Sequence, residues 1–370
     1  MKKIRYAVVG LGHISQAALL PAFKNVKNSE LVALVSDDDE KRKELAKRYR
    51  LDPASTYSYE EYEQCLNSGD IDAVYIGLPN HLHCEYAVQA VRAGVHVLCE
   101  KPMAVNEKEC TEMIAASEES GTKLMIAYRL HFEEANLEAI KIANSGKLGD
   151  LRIFSAIFSQ QIAEDNVRAT EPESRGGGSL FDMGVYCINA ARYIFRDEPI
   201  EVLAANANNG EIRFRQNAEM TMAILRFPAE RLAVFTSSFG AMKTSEYSVV
   251  GTNGRLRLSP AFDYSLPLAY ELVIGEKKPA RKKFAKHDQF GAEVEYFSDC
   301  ILRDRQPEPS GIEGLADIRI VEAILESAAN RKPVQIQASE RHARPSKRQE
   351  FKKPAVQKPE VVHASSPSGR

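Results

Sequence analysis

Between residues 4 and 127, short apolar runs alternate with longer stretches whose apolar positions recur every three or four residues. The runs at 4–9, 31–35, 73–77, 95–99 and 123–127 are rich in the aliphatic residues of buried strands. The stretches from residue 14 and over 40–49, 83–93 and 107–120 have the helical period. Such alternation predicts βαβ units and a parallel sheet. Past residue 150 the texture changes. Segments 151–159, 200–207, 218–227, 231–239, 245–251 and 255–258 read as successive strands, joined by turns such as Thr252-Asn253-Gly254. They predict a second, antiparallel sheet, on which a late amphipathic helix over 312–330 packs. From about residue 338 the chain turns to Pro, Ser, Lys and Arg. Eight Lys and Arg from Arg341 onward, against Glu350 and Glu360, predict a disordered cationic tail.

Composition narrows the function. A chain of 370 residues with 44% apolar residues has enough material for two cores. A net charge of −2 argues against nucleic acid as a partner. The six cysteines are scattered without CxxC pairs, which points to reduced thiols and to no metal site. No signal-like segment and no apolar run of membrane-spanning length stands out, so a cytoplasmic protein without membrane contact is expected.

The first strand runs straight into Gly10-Leu11-Gly12 and then a helix, the position of a dinucleotide fingerprint. Gly10 permits the tight turn, Gly12 lets the backbone approach a pyrophosphate, and the helix start offers free N–H groups to that anion. Ser15 stands where a third glycine is usual. At the end of the run 95–99, Glu100-Lys101-Pro102 places a lysine at the carboxyl end of a buried strand, a position suited to chemistry more than to stability. Ser179 and Asp182 have the spacing of a capping box. Asp182 and Tyr186 are four apart on one expected helix and so share a face. A carboxylate beside a phenol can orient a hydroxyl and pass its proton.

These residues resemble the Gfo/Idh/MocA oxidoreductases, and within them the glucose-fructose oxidoreductase branch. The resemblance rests on Val9-Gly10-Leu11-Gly12, Pro79-Asn80-His81-Leu82-His83, Ala93 to Pro102, Tyr128-Arg129-Leu130-His131-Phe132 and Gly176 to Tyr186, and it runs to about residue 330. It implies an α/β protein. An N-terminal Rossmann domain with a doubly wound parallel sheet occupies 1–125. A C-terminal α+β domain with an open, mainly antiparallel sheet occupies 126–337, and the tail 338–370 follows. It also implies a nicotinamide cofactor and a homodimer or homotetramer joined through the C-terminal sheet. The cofactor-lining positions would be Gly10, Gly12, His13, Ile14, Leu78, Pro79, Asn80, His83, Glu100, Lys101, Tyr128 and Arg129. Lys101, Asp182 and Tyr186 would be catalytic, with His131 and Arg175 as further pocket candidates and Asp288-Gln289-Phe290 as a structural turn.

The expected reaction is hydride transfer between a sugar carbon and the nicotinamide, with Tyr186 as acid or base. A free phenol has a pKa near ~10 and is a poor base at neutral pH. A nearby ammonium, Lys101, would stabilise its phenolate, and Asp182 would hold the hydroxyl, the lysine or both. At the end of the second strand an acidic residue usually holds the ribose of NAD. Here Ser36 leaves room for a ribose phosphate and Lys41 can pair with it, so NADP is favoured and NAD is the alternative. Asp37, Asp38 and Asp39 crowd the same loop and could cap the following helix. The namesake enzyme of the branch has an N-terminal arm that helps retain NADP, whereas this chain enters its first strand almost at once. That favours an aldose dehydrogenase with an exchangeable cofactor. A two-sugar oxidoreductase with tightly bound NADP and a non-catalytic cofactor or sugar sensor are the alternatives.

Overall fold

A computed structural model describes residues 2–337 and 344–367. Six parallel strands form the first sheet: β1 (Ile4–Val9), β2 (Ser29–Val35), β3 (Thr56–Tyr57), β4 (Ala73–Ile76), β5 (His96–Glu100) and β6 (Leu124–Ala127). Their spatial order is β3-β2-β1-β4-β5-β6. This is the doubly wound arrangement, and its order reverses between β1 and β4, where a crevice opens beyond the carboxyl ends of the strands. The strands are apolar on both faces because helices cover both. One of those helices, Gln289–Leu302, comes from late in the chain. Its Phe290, Val294 and Phe297 pack with Tyr6, Val8 and Leu98, and Tyr6 Oη lies 2.8 Å from Ser298 Oγ.

The second sheet has nine strands. After β7 (Leu151–Ser159) come β8 (Glu201–Ala207), β9 (Met220–Phe227), β10 (Arg231–Ser238), β11 (Thr244–Gly251), β12 (Gly254–Leu258), β13 (Ala269–Ile274), β14 (Ala280–Lys283) and β15 (Val334–Gln335). The order is β14-β13-β12-β11-β7-β10-β9-β8-β15. All pairs are antiparallel except β7 with β10, which run parallel in the middle of the sheet. One face packs against the helices Glu134–Ala143, Val185–Phe195 and Gly311–Asn330. The other face is open and carries exposed Ile153, Ile157, Leu203, Met222, Ile224 and Leu232.

Two features differ from the expected domain plan. The boundary at 125/126 falls inside β6, and the helix Gln289–Leu302 from the second region packs on the first sheet. The tail also departs from expectation where it is described. Residues 344–367 lie against the body, because their cations meet acids that composition alone cannot locate: Arg344 with Glu198 at 3.0 Å, Lys347 with Glu138 at 3.0 Å and Lys352 with Glu134 at 3.0 Å. The rest of the expected tail, 338–343 and 368–370, lies outside the described residues.

Under the second sheet, Arg192 is fully buried among three acids, Glu198 (Nε to Oε2, 2.5 Å), Glu313 (3.0 Å) and Asp317. Removing the guanidinium takes their shared counter-charge out of a low-dielectric core, while Glu198 keeps Arg344. Arg192→Leu is therefore expected to lower the unfolding free energy by about 3–5 kcal/mol, seen as a fall in the urea midpoint. A midpoint unchanged within error would contradict this network's role.

Candidate active site

The glycine turn sits at the crevice. Gly10 has φ +88°, and a Cβ there would come within 2.5 Å of the Gly77 carbonyl oxygen just beyond β4, so no other residue fits. At Gly12 a Cβ would meet no protein atom within 4 Å. Packing thus does not require that glycine, and the space it leaves faces the cleft. The neighbouring His13 has its Nε2 buried without a hydrogen-bond partner. Burial, with the charges of Lys358 and Arg168, lowers its pKa to about 4, which leaves the ring neutral at pH 7. An open cradle with two cations facing it and a helix start beneath it suits the phosphates of a dinucleotide. Ser15, at the position of the absent third glycine, donates to the Gly10 carbonyl at 2.6 Å and tightens the turn.

A cleft of about 1070 Å³ runs from this turn to the second domain. Its walls include Gly12, His13 and Ile14, then Leu78, Pro79 and Asn80, and then Glu100, Lys101 and Arg129. Asp182 and Tyr186 close its far end. Lys101 Nζ lies 3.1 Å from Asp182 Oδ1, 2.8 Å from the Asp182 carbonyl oxygen and 4.7 Å from the centre of the Tyr186 ring. The structure therefore brings the three expected catalytic residues together from two domains. Glu100 accepts from the Tyr75 hydroxyl at 2.5 Å, which fixes the strand end that carries Lys101.

Two cations at this site were not expected in these roles. Arg168, from the segment between β7 and the glycine run, reaches Asp182 Oδ1 at 3.3 Å. Burial alone would raise the Asp182 carboxyl, but Arg168 and then Lys101 overcome it and hold the pKa at about 2. Arg129 is buried, with its guanidinium 5.0 Å from the centre of the Tyr186 ring and hydrogen-bonded to Gln289 and to the Phe262 carbonyl. Burial disfavours its charge, while the Tyr186 hydroxyl and the acids Glu293 and Asp263 favour it more strongly, so its pKa is raised. Gln289, read as part of a structural turn, thus also positions Arg129.

Several expected positions serve other purposes. Asp182 enters through a π-helical turn, Leu180–Gly184, that leads into the helix Val185–Phe195. Ser179 makes no capping bond there; its hydroxyl donates to the Ser237 carbonyl at 3.1 Å. His83 is buried away from the cleft, its Nδ1 2.8 Å from the Pro102 carbonyl and its Nε2 3.0 Å from that of Leu78. It braces the Lys101 turn against the end of β4. Tyr128 is also buried, stacked on His131 at 5.6 Å, and does not line the cleft, whereas the next residue, Arg129, does. His131 bonds Asn189 at 2.8 Å inside the core, and Arg175 lies half-exposed beside Glu171. Ser36 is buried at the end of β2, and Lys41 lies 3.8 Å from Asp38, which caps the helix Asp39–Tyr49. Neither lines the cleft itself.

The sequence matches the description "Oxidoreductase family, NAD-binding Rossmann fold" over residues 4–128 and "GFO/IDH/MocA C-terminal domain" over 136–257. It is 32% identical over 342 residues to a D-xylose 1-dehydrogenase [NADP(+)] of Haloarcula marismortui, covering 90% of this chain and 93% of that one. The structure superposes with a TM-score of 0.86 on aldose-aldose oxidoreductase from Caulobacter crescentus, at 35% identity over 90% of this chain and 100% of that one. It superposes at 0.79 on KijD10, a 3-ketoreductase from Actinomadura kijaniata with NADP, at 26% identity over 88% of this chain and 98% of that one.

Arg168→Leu leaves Lys101 as the main counter-charge of Asp182. The carboxyl pKa is expected to rise above about 2, measurable by ¹³C titration of labelled aspartate. An unchanged pKa would show that Arg168 has no hold on it.

Proposed function

Because this chain belongs to the Gfo/Idh/MocA oxidoreductases, we propose that it is an NADP-dependent aldose-type sugar oxidoreductase in which Tyr186 passes the proton. The observation that carries this reading is the junction of Lys101, Asp182 and Tyr186 at one end of a cleft whose other end is the glycine turn. The nicotinamide, when bound, supplies the hydride acceptor or donor.

The residues act on a sugar held between the domains. Asp182, ionised across the working pH range, accepts a hydrogen bond from the reacting hydroxyl or from Lys101. Tyr186 takes the hydroxyl proton in the oxidative direction and returns it in the reductive one. Lys101 and Arg129 flank the ring and stabilise negative charge as it develops on the phenol oxygen. Arg129 is held from two sides by Gln289 and Phe262, so this charge is pre-positioned.

The aldose substrate class is supported by relatives named for xylose and aldose oxidation. NADP is supported by Ser36 at the end of β2, a hydroxyl where an acidic residue usually holds the ribose of NAD, with Lys41 and Arg42 close behind. The open apolar face of the second sheet supports a homodimer or homotetramer joined there. Six buried, unpaired cysteines suit a reducing cytoplasm.

Absorbance-monitored reduction of NADP over a panel of aldoses and polyols tests the reading. Turnover is expected with at least one aldose, and Tyr186→Phe is expected to lose about 10²–10⁴-fold in kcat while still binding NADP. Near-normal turnover by the variant would remove Tyr186 from the chemistry. Ser36→Asp is expected to shift preference from NADP toward NAD by about tenfold or more; an unchanged ratio of kcat/KM for the two cofactors would place the discrimination elsewhere.

A further inference from the structure

The last described residues do not leave the body of the protein; they cross the mouth of the cleft. After Pro354, paired with His287, the chain passes over the glycine turn. The Glu360 carbonyl accepts from Arg48 at 2.5 Å. Val362 is bonded twice to Gln16 on the helix that follows the turn: its carbonyl accepts from Gln16 Nε2 at 2.8 Å, and its N–H donates to Gln16 Oε1 at 2.7 Å. His363 Nδ1 lies 2.8 Å from Asp38 Oδ2, at the loop after β2. On the opposite wall, the Pro367 carbonyl accepts from the Ala163 N–H at 2.9 Å, in the segment that also carries Arg168. The anchors thus sit on both domains, with the crevice between them.

Val356, Lys358 and 363–367 form part of the cleft wall. With them in place the cleft still measures about 1070 Å³, at the upper end of the range for small-molecule sites. The segment covers the space without filling it, as a strap does and a plug does not. Lys358 lines the cleft with Gly12, His13 and Arg168 and acts on the His13 ring, so its ammonium adds positive charge near the cradle at Gly12.

We propose that residues 356–367 are a strap belonging to the dinucleotide site: it closes over the bound cofactor, supplies Lys358 as a counter-charge for its phosphates, and must open before the cofactor can exchange. This rests on the NADP reading above and adds to it a binding element and a rate-setting motion. It also bears on the choice between an exchangeable and a retained cofactor.

The test compares the full chain with a chain ending at Ala355, which keeps the anchors of Arg344, Lys347 and Lys353, and with Lys358→Ala in the full chain. Each is loaded with NADPH and chased with excess NADP in a stopped-flow fluorimeter. Release is expected to quicken about tenfold or more on truncation and by a smaller factor in Lys358→Ala. NADP is also expected to protect the full chain from cleavage after Glu360 by a glutamyl endopeptidase. Equal release rates in all three proteins, with no protection, would overturn the strap and leave the NADP reading standing. Tighter NADPH binding in the truncated chain would also overturn it, by showing that the segment competes with the cofactor. No binding of NADPH by any of the three would remove the cofactor reading and the strap together.

Discussion

The ion pair between Lys101 and Asp182 joins the carboxyl end of a strand in the first sheet to a helix entrance in the second domain, and the site exists only where these two elements meet. Burying such a pair costs desolvation that packing of apolar residues would avoid. Here one carboxylate faces two cations, Lys101 and Arg168, with Arg129 close to the same phenol. Gathering two cations on one buried carboxylate adds to that cost. It suits the proposed reaction, in which negative charge develops on the Tyr186 oxygen.

Everything around the pair serves to place it. Glu100 bonded to Tyr75, and His83 set between the carbonyls of Leu78 and Pro102, fix the lysine turn from behind. The π-helical turn re-aims Asp182 relative to a regular helix. A Cβ at Gly177 would fall 2.1 Å from the Glu171 carbonyl oxygen, so the glycine run lets the segment that carries Arg168 pack against it. Arg129 then ties the first sheet to Phe262 and Gln289, which keeps the cleft walls in register across the domain boundary. At the cofactor end the same economy holds: the turn at Gly10 approaches Gly77, and the strap bonds to Gln16 just beyond it.

Much of this was legible in the sequence. Periodicity located five of the six strands of the first sheet and six of the nine in the second, because aliphatic runs at β spacing bounded by turns have few other readings. It missed β3 and β15, which are two residues long, β14, which is exposed and mostly charged, and β13, whose six residues are all half-buried and so show no alternation of burial. Lys101, Asp182 and Tyr186 could be picked out because each sits at an element end in a recognisable motif. Arg168 could not, since its role depends on the path of an irregular segment between β7 and the glycine run. Tyr128 lies off the cleft although its neighbour Arg129 lines it, and nothing in the run of residues separates the two. The tail read as disordered because its own residues bury little, whereas its partners Glu134, Glu138, Glu198, Gln16 and Asp38 lie far away in sequence.

In the proposed reaction a sugar carbon and the nicotinamide exchange hydride directly at the Tyr186 end of the cleft. An aldose deuterated at C1, incubated with the full-length protein and NADP, tests this most directly when the nicotinamide is analysed by NMR. The account predicts stoichiometric deuterium at C4 of the reduced ring, on one face only, with none lost to water. Absence of the label from the ring, or its loss to solvent, would contradict it.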